Sequence, residues 1–240
     1  MTIKKAIILA GGLGTRLRPV TYEIPKPLIP VKKKPILSHF VSFLNRYGVE
    51  RIAIVAAARD RGDFEVWSRQ IGQTHPNAHI DIFYEDEPHG TFGWLRYLHD
   101  WIGSDRFILS NGDSLMDFDI HALAAFHESR RPVVSAALLR VNRPYECDRL
   151  VLEDDVVADI DCSRTRRGPD DEFDFANIGF YLADPAVLDY DDPSRKLLIT
   201  EKDIFPKLIS DRKLMACSLE QGRFFDCGTF ERWEQAIQEW

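Results

Sequence analysis

Apolar runs of strand length recur along the first half of the chain, at residues 6–10, 51–57, 80–84 and 107–110. Longer stretches with helical spacing lie between them. Residues 36–47 place Ile36, Leu37, Phe40, Val41 and Leu44 on one face, and residues 91–102 form a second such stretch. This alternation predicts an α/β fold with a parallel sheet and helices on both faces. The pattern changes in the second half. Residues 133–141, 150–153 and 156–161 read as β segments joined by short turns, so the sheet is expected to become mixed. A helix near 200–209, a strand near 215–219 and a helix from Thr229 close the chain. With no proline- or glycine-rich linker and no internal repeat, a single domain over residues 1–240 is the economical expectation. Sites in such sheets lie at the carboxyl ends of strands. That points to the loop after residues 6–10 and to the Asn111-Gly112-Asp113 turn.

Composition narrows the function classes. A hydrophobic content of 45% over 240 residues supports an ordinary core. The net charge of −7 and pI of about 5.5 argue against a general nucleic-acid surface. Cys147, Cys162, Cys217 and Cys227 show no C-x-x-C spacing and read as free thiols of a reducing, cytoplasmic setting. The apolar run after Lys4-Lys5 is too short for a signal peptide, and no segment has the length of a membrane span.

The loop at residues 11–31, GGLGTRLRPVTYEIPKPLIPV, carries the strongest chemistry. Gly11, Gly12 and Gly14 follow a strand, so several backbone N–H groups can converge on phosphate oxygens. Arg16 adds a planar cation, and Lys26 adds a point charge between Pro25 and Pro27. The P-loop pattern fails, because Thr15-Arg16 stands where Lys and Ser or Thr are required. The dinucleotide pattern fails at Leu17, where it needs glycine. The string resembles the signature G-G-x-G-T-R-L-x-P-x-T-x-x-x-P-K-P-L of the sugar-1-phosphate nucleotidylyltransferases, and every specified position matches.

That resemblance implies a Rossmann-like, GT-A-like three-layer α/β/α sandwich with a mainly parallel, partly mixed central sheet. It implies nucleotide contacts from Leu9, Ala10, Gly11, Gly12, Gly14 and Thr15, and catalytic roles for Arg16 and Lys26. It further implies that Asp113, and Asp226 in a D-x-G-T segment, hold Mg2+ against the phosphates. Mg2+ suits this set, since it takes hard oxygen ligands and is commonly bound by one or two carboxylates plus phosphate. Taken alone, Asp113 reads equally as the start of an Asx-type turn, and Asp226 as a helix cap. Asn177 in N-x-G-x-Y and Glu201 in E-K-D-I-x-P resemble residues that contact sugar hydroxyls, which both can accept. Asn111 and Lys202 join them as substrate-side candidates. The segment Glu85-Asp86-Glu87-Pro88-His89-Gly90-Thr91 resembles the loop that lies against the nucleobase. A carboxylate at Glu85 or Glu87 can accept from guanine N1–H and N2–H2, a pair that uracil and thymine lack.

Two departures stand out. The F-x-E-K-P segment of relatives, whose lysine grips the sugar phosphate, is replaced by Ile160-Asp161-Cys162-Ser163-Arg164-Thr165. Arg164, Arg166 or Arg167 is a substitute cation, or the loop is simply solvated. The tyrosine-glycine pair expected before it is missing near Asp148-Arg149. No hexapeptide β-helix domain is expected after Trp240. The expected partners are a nucleoside triphosphate, most readily GTP, and a mannose- or heptose-type 1-phosphate. A homodimer is a further expectation, and neither nucleic acid nor membrane is expected as a partner. UTP, dTTP or CTP chemistry, and a non-catalytic nucleotide-sugar sensor, remain the alternatives.

Overall fold

A computed structural model describes residues 3–141, 147–161 and 175–240. The chain runs through β1 (Lys5–Leu9), β2 (Pro30–Val31), β3 (Lys34–Pro35), α1 (Ile36–Arg46), β4 (Arg51–Ala57), α2 (Arg61–Thr74) and β5 (His79–Glu85). It continues with α3 (Gly90–Gly93), α4 (His99–Ile102), β6 (Phe107–Asn111), β7 (Ser114–Phe118), α5 (Ile120–Arg130) and β8 (Val134–Arg140). The remainder comprises β9 (Arg149–Glu153), β10 (Val156–Asp161), β11 (Phe175–Ala183), α6 (Phe205–Ser210), β12 (Leu214–Leu219), β13 (Gly222–Asp226) and α7 (Phe230–Glu239). The fold is mixed α/β, and nine of the described strands belong to its main sheet.

The chain divides into two compact units. An N-terminal unit holds Thr2–Pro88, Ser110–Asp117 and Phe224–Trp240; a central unit holds His89–Leu109 and Phe118–Arg223. In the N-terminal unit β1, β4 and β5 are parallel, with Ile7 opposite Ala53 and Ala53 opposite Asp81. Its α1 buries Ile36, Leu37, Phe40, Val41 and Leu44, the apolar stripe read from the sequence. It ends where Gly48 takes φ 76°, a left-handed conformation that costs glycine little. Helix α2 buries Phe64, Trp67 and Ile71, and Trp67 Nε1 donates to Ser38 Oγ on α1 at 2.8 Å.

The central unit carries the mixed part of the sheet. Strand β8 pairs antiparallel with β11 and parallel with β12, while β10 pairs antiparallel with β12 and β9. The register of β11 against β8 shifts between Asn177 and Tyr181, with Gly179 at φ 68° inside the irregularity. A bulge of this kind re-aims the side chains beside it.

Some local expectations are corrected. The single helix expected over 91–102 is three pieces: α3, a 3-10 stretch Trp94–Leu98, and α4. Phe92 N and Gly93 N donate to Leu198 O, which ties the first turn of α3 to residue 198. The helix expected near 200–209 starts as a π turn over Thr200–Ile204 and becomes regular only at Phe205. Pro206 has no N–H to donate and is tolerated only in a first helical turn. Helices α2 and α5 and the short strands β2, β3 and β7 were not evident from the pattern; α5 lacks segregated apolar and polar faces.

Candidate active site

The glycine loop leaves β1 against β4: Ala10 N donates to Val55 O at 2.7 Å, and Leu9 O accepts from Gly112 N at 2.9 Å. Gly14 adopts φ 58°, and its carbonyl accepts from Leu17 N and from Thr21 Oγ1. A Cβ there would meet Thr21 Cγ2 at 2.8 Å. Below the loop, Leu17 is buried with Ile29, Val31, Leu115 and Cys227, so the turn stands on a packed base. Gly12, Thr15 and Arg16 are exposed above it. Gly11 is narrow for a specific reason. A Cβ at this position would lie 2.3 Å from Glu85 Oε1, so the Glu85 carboxylate reaches the loop backbone. Glu87 is exposed.

Lys26, Asp113 and Asp226 come together. Lys26 is 7% exposed although charged, and its Nζ donates to Asp113 Oδ2 at 2.6 Å and faces Asp226 Oδ1 at 3.6 Å. Two features create this. The 3-10 turn at Lys26–Leu28 is flanked by Pro25 and carries Pro27, which stiffens it. Strand β13, which ends in Asp226, is hydrogen-bonded to β7, which starts directly after Asp113. Gly112 allows the turn to Asp113 to lie on β1, since a Cβ would strike Ile8 Cγ2 at 2.6 Å. Asn111 ends β6 beside that turn. Asp226 does not cap α7; Thr229 does, accepting from Arg232 N at 3.3 Å.

The donor chemistry fits a hard divalent cation. Asp113 and Asp226 offer only carboxylate oxygen, and both already reach one cationic atom, Lys26 Nζ. Among the described residues no group of three or more His, Cys, Asp or Glu is placed to hold a metal, so these two carboxylates would need phosphate and water to complete a shell. Sequence reasoning passed over Arg232, whose Nη1 donates to Asp226 Oδ2. Its only signal was a cation in the first turn of a helix. Arg16 lies over Gly228, its Nη2 2.6 Å from where a Cβ would stand. Beside Asp226, burial pushes the Cys227 thiol up to about 12, with Lys26 partly opposing the shift.

In the central unit Asn177 and Glu201 are joined through Tyr181. Asn177 Nδ2 donates to Tyr181 Oη at 2.9 Å, and Tyr181 Oη donates to Glu201 Oε1 at 2.9 Å. Burial and the Glu201 carboxylate hold the phenol well above its ordinary pKa, so it stays a donor. Gly179 N donates to Asn177 Oδ1, and Asn177 N donates to Asp148 O, so the bulge and the segment before β9 fix the amide. Tyr181 was part of the expected motif, but its linking role was not legible there. Gly90 at φ 79° packs so closely on Leu198 that a Cβ would lie 2.2 Å from its carbonyl oxygen. Thr91 Oγ1 accepts from Thr200 N at 2.8 Å, one residue from Glu201. Lys202 is exposed. The candidate substitute cations Arg164, Arg166 and Arg167, and Cys162, lie outside the described residues.

Known proteins place these features in context. The chain is 31% identical over 234 residues to the mannose-1-phosphate guanyltransferase of Schizosaccharomyces pombe, covering 93% of this chain and 61% of that protein. It is 31% identical over 209 residues to the mannose-1-phosphate guanylyltransferase of Mycobacterium tuberculosis, covering 86% of this chain and 55% of that one. It therefore spans about three-fifths of these relatives' length. Among solved structures, HddC from Yersinia pseudotuberculosis complexed with GMP-PN superposes with a TM-score of 0.78 at 26% identity, covering 99% of both chains. A putative glucose-1-phosphate thymidylyltransferase from Bacillus anthracis shares the fold, with a TM-score of 0.84 at 24% identity over 99% of this chain and 94% of that one. The family model for nucleotidyl transferases matches residues 5–240, and this chain belongs to that family.

Proposed function

We propose that this protein transfers a nucleotidyl group from GTP to a mannose- or heptose-type sugar 1-phosphate, forming a nucleotide sugar and pyrophosphate. The observation that carries the reading is the buried Lys26 ammonium between the Asp113 and Asp226 carboxylates, beside a glycine loop with the family signature. In this reaction an oxygen of the sugar phosphate attacks the α-phosphorus. The bond from that phosphorus to the bridging oxygen breaks, and pyrophosphate departs with the bonding pair. The nucleophile needs no general base, since a phosphate monoester loses its second proton near pH ~6. Catalysis then rests on alignment and charge compensation.

The Gly11–Gly14 backbone and Arg16 bind the β- and γ-phosphates in this reading, and Lys26 neutralises charge at the α-phosphate. Asp113 and Asp226 would hold Mg2+, which when bound compensates phosphate charge as a Lewis acid. The linked Asn177–Tyr181–Glu201 set accepts from sugar hydroxyls in this reading, with Tyr181 holding the amide and the carboxylate in one line. Glu85 is the guanine reader, favoured over Glu87 because its carboxylate reaches Gly11. The names of the relatives support the same base and sugar class. A cytosolic location and a homodimer complete the proposal; no helix among the described residues is long and apolar enough to cross a membrane.

The test is pyrophosphate release with Mg2+ across GTP, UTP, dTTP and CTP, each paired with a panel of sugar 1-phosphates. Release with GTP and a mannose- or heptose-type phosphate is expected. Release with UTP or dTTP but not GTP would overturn the base assignment. No release with any pair would point instead to a non-catalytic sensor.

A further inference from the structure

The third helical position of α7 carries a residue that local helix physics disfavours. Thr229 caps this helix, and Arg232 is the residue whose N–H the cap accepts. In a capping box that position holds Glu or Gln, and the field at a helix N-terminus favours an acid and opposes a cation. Local rules are broken in this way mainly at functional sites. The compensation here is Asp226. Arg232 Nη1 donates to its Oδ2, with the arginine side chain 19% exposed. The other oxygen, Oδ1, faces Lys26 Nζ at 3.6 Å, and Lys26 also holds Asp113 Oδ2 at 2.6 Å. Arg16 lies over Gly228, two residues further on. Three cations therefore gather about two carboxylates.

We propose that Arg232 is a positioning residue acting through Asp226. It orients the carboxylate and, as a counter-cation on Oδ2, makes divalent-metal binding at Asp113 and Asp226 depend on the polyphosphate that accompanies the metal. A divalent ion arriving alone must displace an internal cation while Lys26 and Arg16 repel it. An ion arriving with a triphosphate brings anionic oxygens that Lys26 and Arg16 take up, so the exchange balances. This inference rests on the proposed function, because it assigns the carboxylates to a metal.

The experiment titrates the full chain with Mn2+ and reads free Mn2+ by electron paramagnetic resonance, with and without a non-hydrolysable GTP analogue. In Arg232→Gln, Mn2+ binding without nucleotide is expected to tighten about tenfold, equivalent to about 1.4 kcal/mol. With the analogue the same variant should change little. Arg232→Lys, which restores a cation, should return to the wild-type value. Should the glutamine variant fail to fold, Arg232→Met keeps the aliphatic stem and carries the same expectation. Unchanged or weaker Mn2+ binding without nucleotide, together with a loss in Asp226→Asn with the analogue, overturns the role of Arg232 and leaves the metal site standing. Unchanged Mn2+ binding with the analogue in both Asp113→Asn and Asp226→Asn overturns the metal site, and this inference with it.

Discussion

Lys26 is a charged side chain that folding buries, and its cost is offset by Asp113 at 2.6 Å and Asp226 at 3.6 Å. In the proposed reaction, a substrate phosphate that replaced those partners would find the cation already desolvated, where its field is strongest. Lys26→Ala is expected to lower turnover by about 10²-fold or more, and so is Asp226→Ala. Near-normal rates of pyrophosphate release in both variants would remove them from the reaction. Glu85 raises a question of selectivity rather than rate. Glu85→Gln replaces one acceptor oxygen with a donor that guanine N1–H or N2–H2 cannot use. The ratio of kcat/KM for GTP over UTP should fall by at least about tenfold, as expected when a polar pair is left unmatched. Lys26 was legible because the signature from Gly11 to Leu28 is long and fully matched, and Asp113, Asp226 and Glu85 through shorter segments that resemble the same family. Arg232 was not, since nothing in its sequence surroundings states which carboxylate it meets.

At the scale of elements, periodicity worked where a helix or strand answers mainly to its own solvent boundary. The α1 stripe is of this kind, while the strand at Arg51–Ala57 was legible as one apolar run buried almost throughout. It failed where close packing on a distant segment overrides local spacing. Gly90 and Gly93 pack against the backbone at Leu198 and Lys196, and residues 91–102 break into short pieces although their apolar spacing is helical. Helix α7 tests the opposite limit. Its start carries one side-chain cap, the bond from Arg232 N to Thr229 Oγ1. Thr229→Ala should cost about 1 kcal/mol. For a chain of this size that corresponds to a fall in melting temperature of roughly 2–4 °C per kcal/mol. Calorimetry or urea unfolding checks it, and an unchanged midpoint would mean that packing alone holds the helix.

For the molecule as a whole, the clearest stability switch is His127. The ring is 1% exposed, with Nδ1 on Ser135 Oγ at 2.9 Å. Burial pushes its pKa from 6.5 down to about 4; Arg106 adds to the fall, and Asp184 and Glu128 oppose it. A folded pKa below the unfolded one means that the unfolded chain binds the proton first. Stability is therefore intact above pH 6.5 and declines as pH falls from 6.5 towards 4. The loss reaches on the order of 3 kcal/mol at the lower end. His127→Gln should flatten this part of the stability–pH curve, as read by urea unfolding at several pH values; an equal slope in the variant would assign the effect to other groups.

The amino-acid sequence by itself determined the α/β alternation, the change to a mixed sheet, the family signature of the glycine loop and the identities of its charged residues. These follow from the periodicity of apolar positions and from a contiguous motif, both of which are local in the chain. Only the tertiary structure decided which charges share a partner. Strand pairing of β7 with β13 brings Asp113 and Asp226 onto one ammonium, and a bulge in β11 joins Asn177 to Glu201 through Tyr181. The physical reason is that a hydrogen bond or ion pair depends on separation in space. Residues 87 positions apart, such as Lys26 and Asp113, meet only when the backbone between them has paired and packed.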